Sequence, residues 1–180
     1  MNISIRRGDN RDALAVSVIA ARTFYDTFAA GTRPDDMALH LADAYGEEQQ
    51  RRELLDPEIT TLLLEIDELL AGFAMLRPGS TPDCVTGPAP QELWRFYIDK
   101  PWHGRGAAPA LMQRVQSEAV SRGAQTLWLG VWEHNERAKA FYAKNGFKDA
   151  GSHVYTVGTE EQTDRIMVRP LGVSASVLGQ

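Results

Sequence analysis

The sequence predicts one α/β domain built on a mixed sheet. Three observations carry this. Segments of helical period alternate with strand-like apolar runs along all 180 residues, with no internal repeat and no linker. Ile59–Ile66 and Leu69–Leu76 flank the polar pair Asp67-Glu68, the pattern of an antiparallel hairpin. Thr126–Trp132 is almost continuously apolar and lies between two helical segments, as expected of a strand covered on both faces.

The elements follow in order. Ile3 and Ile5 alternate with polar neighbours and mark a short strand. Asp9 can cap the next helix, and Asp12 favours its positive end. That helix runs to about Ala29, with Leu14, Val18, Ala21, Tyr25 and Phe28 at helical spacing as its expected inner row. Pro34 suits a first helical position, followed by Asp35 and Asp36 in the first turn and the row Met37, Leu41, Tyr45. Gly46 ends this helix, and Glu47–Leu55 reads as another. After the hairpin, Arg77–Pro90 holds four prolines and two glycines and is a loop.

The second half opens with Glu92–Asp99, an aromatic-rich strand. Ala107–Arg122 is a helix with Pro109 in its first turn and Gly123 beyond its end. Asn135–Lys144 is a helix closed by Asn145-Gly146. Phe147–Val157 and Arg165–Val168 are the last strands, with Gly158–Thr163 as the turn between them. Residues 1–170 make the domain, and Leu171–Gln180 reads as a flexible tail.

Composition narrows the function. Hydrophobic residues at 43% and charged residues at 24% suit a water-soluble globular chain. A net charge of −5 argues against a nucleic-acid partner, which would want a basic face. Cys84 is the single cysteine, which excludes an internal disulfide and a Cys-based zinc site, and the four histidines show no metal-ligand spacing, so no metal is expected. The N-terminal residues lack a signal core, and Ala13–Ala21 is far short of the roughly 20 residues of a membrane span. A cytoplasmic protein without a membrane partner is expected.

The strongest chemical signal is a strand, then His103-Gly104-Arg105-Gly106-Ala107-Ala108, then a helix. A helix start offers unpaired N–H groups and a positive dipole end, and small residues let a pyrophosphate come close. A Walker loop is absent, because no Gly-Lys-Ser/Thr is present. The dinucleotide fingerprint is absent too, for want of a third glycine.

A second signal is the run Val131 to Tyr142, with Asn135, Ala138, Phe141 and Tyr142, followed by Gly146-Phe147. Together the two stretches resemble the GNAT superfamily of acyl-CoA-dependent N-acyltransferases, over roughly Glu92 to Arg169. The family's Gln/Arg-x-x-Gly-x-Gly/Ala loop falls on His103 to Ala108, with His103 a departure from the usual Gln or Arg. Asp26-Thr27-Phe28, Thr32 to Asp36, Leu129 to Glu133 and Thr163 to Met167 are similar to the PaiA-type polyamine acetyltransferases.

The resemblance implies a mostly antiparallel sheet flanked by helices, with one splayed strand pair holding acetyl-CoA. It implies that Tyr97 and Ile98 bond the acetyl carbonyl and pantetheine arm through their backbone. His103, Gly104, Arg105, Gly106, Ala107 and Ala108 would hold the pyrophosphate, Asn135 would contact the cofactor, and Tyr142 would lie near its sulfur. Phe24, Tyr25 and Phe28 on the first helix would line the amine pocket.

Chemistry adds the proton requirements. An amine must lose a proton before attacking a thioester, and the leaving thiolate gains from a donor. Tyr142, with an ordinary pKa of about 10, is a neutral acid at pH 7. Glu92 can draw a proton through water, Glu133 can attract or deprotonate an ammonium group, and His134 is of a type common in base work. Spacing does not choose among them; Glu92 and Tyr142 are the expected catalytic pair and Glu133 an expected substrate contact. The expected reaction is acetyl transfer to a small-molecule primary amine, a polyamine in the first instance. Transfer to a protein N-terminus, a lysine or an amino acid is one alternative, and a non-catalytic acyl-CoA-binding regulator is another. The oligomeric state stays open, a homodimer included.

Overall fold

The computed structural model describes residues 1–157 and 160–172. Its strands are β1 (Ile3–Arg7), β2 (Thr60–Ile66), β3 (Leu69–Arg77), β4 (Pro90–Ile98), β5 (Thr126–Trp132), β6 (Lys148–Val157) and β7 (Glu160–Pro170). The helices are α1 (Ala13–Phe28), α2 (Pro34–Tyr45), α3 (Glu47–Leu55), α4 (Ala107–Ser121) and α5 (Glu136–Lys144). One sheet forms in the order β1-β2-β3-β4-β5-β7-β6. Every neighbouring pair in it is antiparallel except β4 and β5, which α4 joins as a parallel pair.

Local chemistry explains the turns. Asp67 and Glu68 both take positive φ, 49° and 68°, so the β2–β3 hairpin closes on two residues with Ile66 opposite Leu69. The Asp67 carboxylate accepts from the Asn2 N–H at 2.8 Å, which helps hold that conformation. Asp9 and Asp12 form a reciprocal cap on a single 3-10 turn, Asn10–Asp12, and α1 starts after it. Gly123 and Gly146 end α4 and α5 in the left-handed region, at φ +85° and +84°.

Each face of the sheet carries its own core. Leu62, Leu64, Leu76, Leu111, Val115, Leu127 and Leu129 bury α4 against one face. Val16, Ile19, Phe24, Met37, Leu63 and Phe73 bury α1 and α2 against the other. Arg95 on β4 crosses beneath this second layer, bonded to the Glu53 carboxylate and lying 4.8 Å from the Tyr45 ring.

Four expectations change. The inner row of α1 is Ala13, Val16, Ile19, Ala20, Thr23 and Phe24, whereas Leu14, Val18 and Tyr25 face solvent. Residues 13–21 are apolar almost all round, so helical period alone fits more than one face. Asn10–Gly31 is by length and composition long enough to cross a membrane, yet its inner row packs on the sheet as a core helix does. The last strand begins at Glu160, so Glu160–Thr163 belong to it and not to a turn. Leu171 is buried and donates to the Gln125 carbonyl at 2.8 Å, while the rest of the expected tail, from 173 on, lies outside the described residues.

Candidate active site

The parallel pair opens. β4 and β5 share the register Pro90–Thr126, Gln91–Leu127 and Glu92–Trp128, and no further. β5 continues fully paired to β7, and β4 to β3. The opening coincides with an irregularity in β4: its register against β3 jumps from Arg95 opposite Met75 to Leu93 opposite Leu76, leaving Trp94 as an extra residue. Such a bulge bends and twists its strand. The Trp94 ring is held between two guanidinium groups, Arg77 at 3.8 Å and Arg95 at 3.9 Å.

The opening leads into a cavity of about 1160 Å³ lined from both sides of the sheet. On the α4–α5 side stand Phe96, Asn135, Ala138, Phe141 and Tyr142, with Gly104, Gly106 and Ala108 at the mouth. On the α1 side stand Phe24, Phe28, Trp128, Trp132, His153 and Asp164.

The mouth is built to receive an anion. Gly104 and Gly106 take φ of +75° and +83°, and nothing lies within 4 Å of where a Cβ on either would stand. Gly106 is the N-cap of α4 and offers no capping side chain, which leaves the first-turn N–H groups to an outside partner. Pro109 follows at the third position, where its missing N–H costs little. These features fit a pyrophosphate. Ala107 presents only its backbone, since its side chain is buried in the core. Arg105 is exposed, 5.7 Å from the Trp102 ring, and does not line the cavity. His103 lines it, but its Nε2 bonds the Ile98 carbonyl at 2.8 Å, so the ring fastens the loop to the end of β4.

Asn135 caps α5, its Oδ1 accepting from the Ala138 N–H at 3.1 Å, and also lines the cavity. Tyr142 is buried, its ring 5.7 Å from Phe147 and 6.3 Å from Phe96. That burial pushes its phenol far above the ordinary value, so the hydroxyl stays protonated. Tyr97 and Ile98 both line the opening, with Tyr97 stacked on Phe73 at 5.6 Å.

Glu92 sits where the strands part, buried, with its Oε2 2.5 Å from Arg77 Nε. It is the anchor of that guanidinium. Phe24 and Phe28 form an aromatic wall, 4.5 Å apart, with Trp132 5.9 Å from Phe28. Tyr25 and Glu133 do not line the cavity. Tyr25 lies on the outer face of α1, 52% exposed, because the helix turns Phe24 inward. Glu133 is past the end of β5, where its carboxylate is 3.7 Å from His134.

Asp164 is the group the sequence did not single out. It lies opposite Trp132 on β5 and His153 on β6. Burial pushes its carboxyl up to about 6; His153 opposes the rise and Glu133 adds to it. The available signal was the alternation Asp164, Ile166, Val168, which puts the aspartate on an inward face once β7 is known to start at Glu160.

A parallel strand pair that parts over a bare helix start frames a protein that holds an extended, phosphate-bearing molecule through its sheet. The model of the acetyltransferase (GNAT) family matches residues 21–147. An uncharacterised N-acetyltransferase of Mycobacterium tuberculosis is 35% identical over 160 residues, 89% of this chain and 98% of that protein. Another, from Lactobacillus delbrueckii subsp. lactis, is 31% identical over 169 residues, 94% and 98% of the two chains. Among solved structures, the PaiA N-acetyltransferase of Thermoplasma acidophilum in complex with coenzyme A superposes with a TM-score of 0.77 at 21% identity, covering 94% of this chain and 99% of that one. The chain belongs to the acetyltransferase (GNAT) family. It is an acetyl-CoA-dependent N-acetyltransferase.

Proposed function

We propose that this enzyme acetylates a primary amine of a small polyamine in the cytoplasm by direct transfer from acetyl-CoA. One observation carries the reading: a single cavity passes through the parted strands, with the glycine mouth and Tyr142 on one side and an aromatic, acid-bearing chamber on the other. Two reactants can therefore meet from opposite faces.

Acetyl-CoA supplies an activated thioester; the rest is the work of the chain. Gly106, Ala107 and Ala108 direct backbone N–H groups at the pyrophosphate, and Lys100 after β4 and Arg137 in the first turn of α5 add positive charge. The edge of β4 beyond Glu92, which β5 leaves unpaired, offers backbone bonds to the pantetheine arm. Tyr142, kept neutral by burial, donates to the departing sulfur. Phe24, Phe28 and Trp132 present ring faces and Asp26 and Asp164 carboxylates, which suit an alkyl chain bearing several ammonium groups. The PaiA name of the Thermoplasma protein points the same way.

A thiol-release assay with acetyl-CoA over spermidine, a monoamine, an amino acid and a lysine peptide tests this. Free CoA released with spermidine is the expected result. Release only with the peptide transfers the reading to protein acetylation, and acetyl-CoA binding without release on any amine leaves a regulator.

A further inference from the structure

Asp164 stands where a proton acceptor for the incoming amine is needed. Trp128, Gly130 and Trp132 share the face of β5 that looks toward α1, and Gly130 alone of the three has no side chain. The carboxylate fills that gap. Its Oδ2 lies 3.2 Å from where a Cβ on Gly130 would stand, beside the stretch of β5 that β4 has left. Gly130, Asp164 and His153 all line the cavity.

The other carboxylates near the opening are engaged or elsewhere, except Asp26 on α1. Glu92 is bound to Arg77, and Glu53 to Arg95. Glu133 does not line the cavity. Among the described residues, no side chain hydrogen-bonds the Asp164 carboxylate; His153 on β6 and Glu133 beyond β5 act on it through charge alone. Arg165, its neighbour on β7, is turned to Asp149 at 2.5 Å. Across the cavity the remaining charged lining is Asp26, Lys100 and Arg137.

We infer that Asp164 is the catalytic base, taking a proton from the acceptor ammonium group at the opening over Gly130. The inference rests on the acetyltransferase reading and assigns the proton path within it. The ammonium gives one proton to Asp164, which passes it to solvent. The freed nitrogen lone pair forms the C–N bond to the acetyl carbon. The C–S bond breaks with its electron pair on sulfur, which takes the Tyr142 proton, and the second nitrogen proton restores the Tyr142 hydroxyl. One proton is released for each amide formed. A carboxylate near pH 6 in its titration is ionised at neutral pH and a better proton acceptor than an ordinary one.

The test is kcat and KM for spermidine from pH 5 to 9 in wild type and Asp164→Asn, with acetyl-CoA affinity measured by calorimetry in both. Wild-type kcat/KM should rise through about pH 6 and stay level from 7 to 9, while the amine is still largely protonated. Asp164→Asn should lower kcat on the order of 100-fold or more, lose the acid limb and bind acetyl-CoA normally. A variant with wild-type kcat, or with raised KM alone, overturns the inference and leaves the acetyltransferase reading standing, since turnover itself shows it. A wild-type rate that climbs tenfold per pH unit to pH 9 also overturns it, because only free amine would then react. Carbon-13 titration of the Asp164 carboxyl in wild type needs no variant; a midpoint near 6 supports the inference and one near 4 overturns it.

Discussion

The Asp164 carboxylate occupies the space that Gly130 leaves empty, with Oδ2 3.2 Å from the position of an added Cβ. That contact is tighter than ordinary packing allows. Gly130→Val should therefore push Asp164 out of the opening, lowering kcat at least about tenfold while acetyl-CoA affinity holds. Steady-state kinetics beside calorimetry check this. Full activity in the folded variant would mean the glycine serves the strand only.

Asp164 should also cost stability when ionised. Its carboxyl is raised from 3.8 to about 6 in the fold, so the folded state holds a proton that the unfolded chain releases. The stabilisation is complete below about pH 4 and is lost as pH rises through 6. Each unit is worth about 1.4 kcal/mol, and partial exposure reduces the total to roughly 1–2 kcal/mol. Asp164→Asn should thus be more stable than wild type at pH 8 and equal to it at pH 4, by denaturant unfolding. Equal stability at both would place Asp164 in open solvent.

Tyr142→Phe removes a hydroxyl that burial keeps protonated. kcat should fall by about 10²–10⁴ with acetyl-CoA affinity unchanged. Unchanged turnover would remove Tyr142 from the mechanism.

Gly106→Val should abolish acetyl-CoA binding and spare the fold. Nothing lies near its added Cβ, so the loss would come from the positive φ and from a side chain standing before the α4 N–H groups. Wild-type affinity by calorimetry would reduce the loop to a turn.

Glu53→Ala should destabilise the protein by about 3–5 kcal/mol, since it strands Arg95, only 6% exposed, without its partner. Replacing both by methionine should recover much of the loss. A small single-variant effect would show that water reaches Arg95.

The order of elements and the glycine mouth of the cavity were legible because backbone chemistry marks them in sequence. Glycines at positive φ, the Asn135 cap and the apolar run of β5 are local signals. The acceptor side was not, because it depends on how elements meet. An apolar α1 left the choice between Phe24 and Tyr25 to the sheet beneath it. The Trp94 bulge, the Arg77–Glu92 pair and the reach of Asp164 over Gly130 join segments far apart in the chain. Glu133, adjacent to β5 in sequence, lies outside the cavity lining, whereas Asp164 on the strand paired beside it is within it.

The most direct measurement is kcat/KM for spermidine against a monoamine of similar length, each at low and high salt. Carboxylates around the chamber should favour the polycation at low salt, and the advantage should shrink as screening shortens to about 8 Å at 0.15 M. A clear, salt-sensitive preference for spermidine is the predicted result. Equal values for the two amines, or a preference indifferent to salt, would contradict the polyamine assignment.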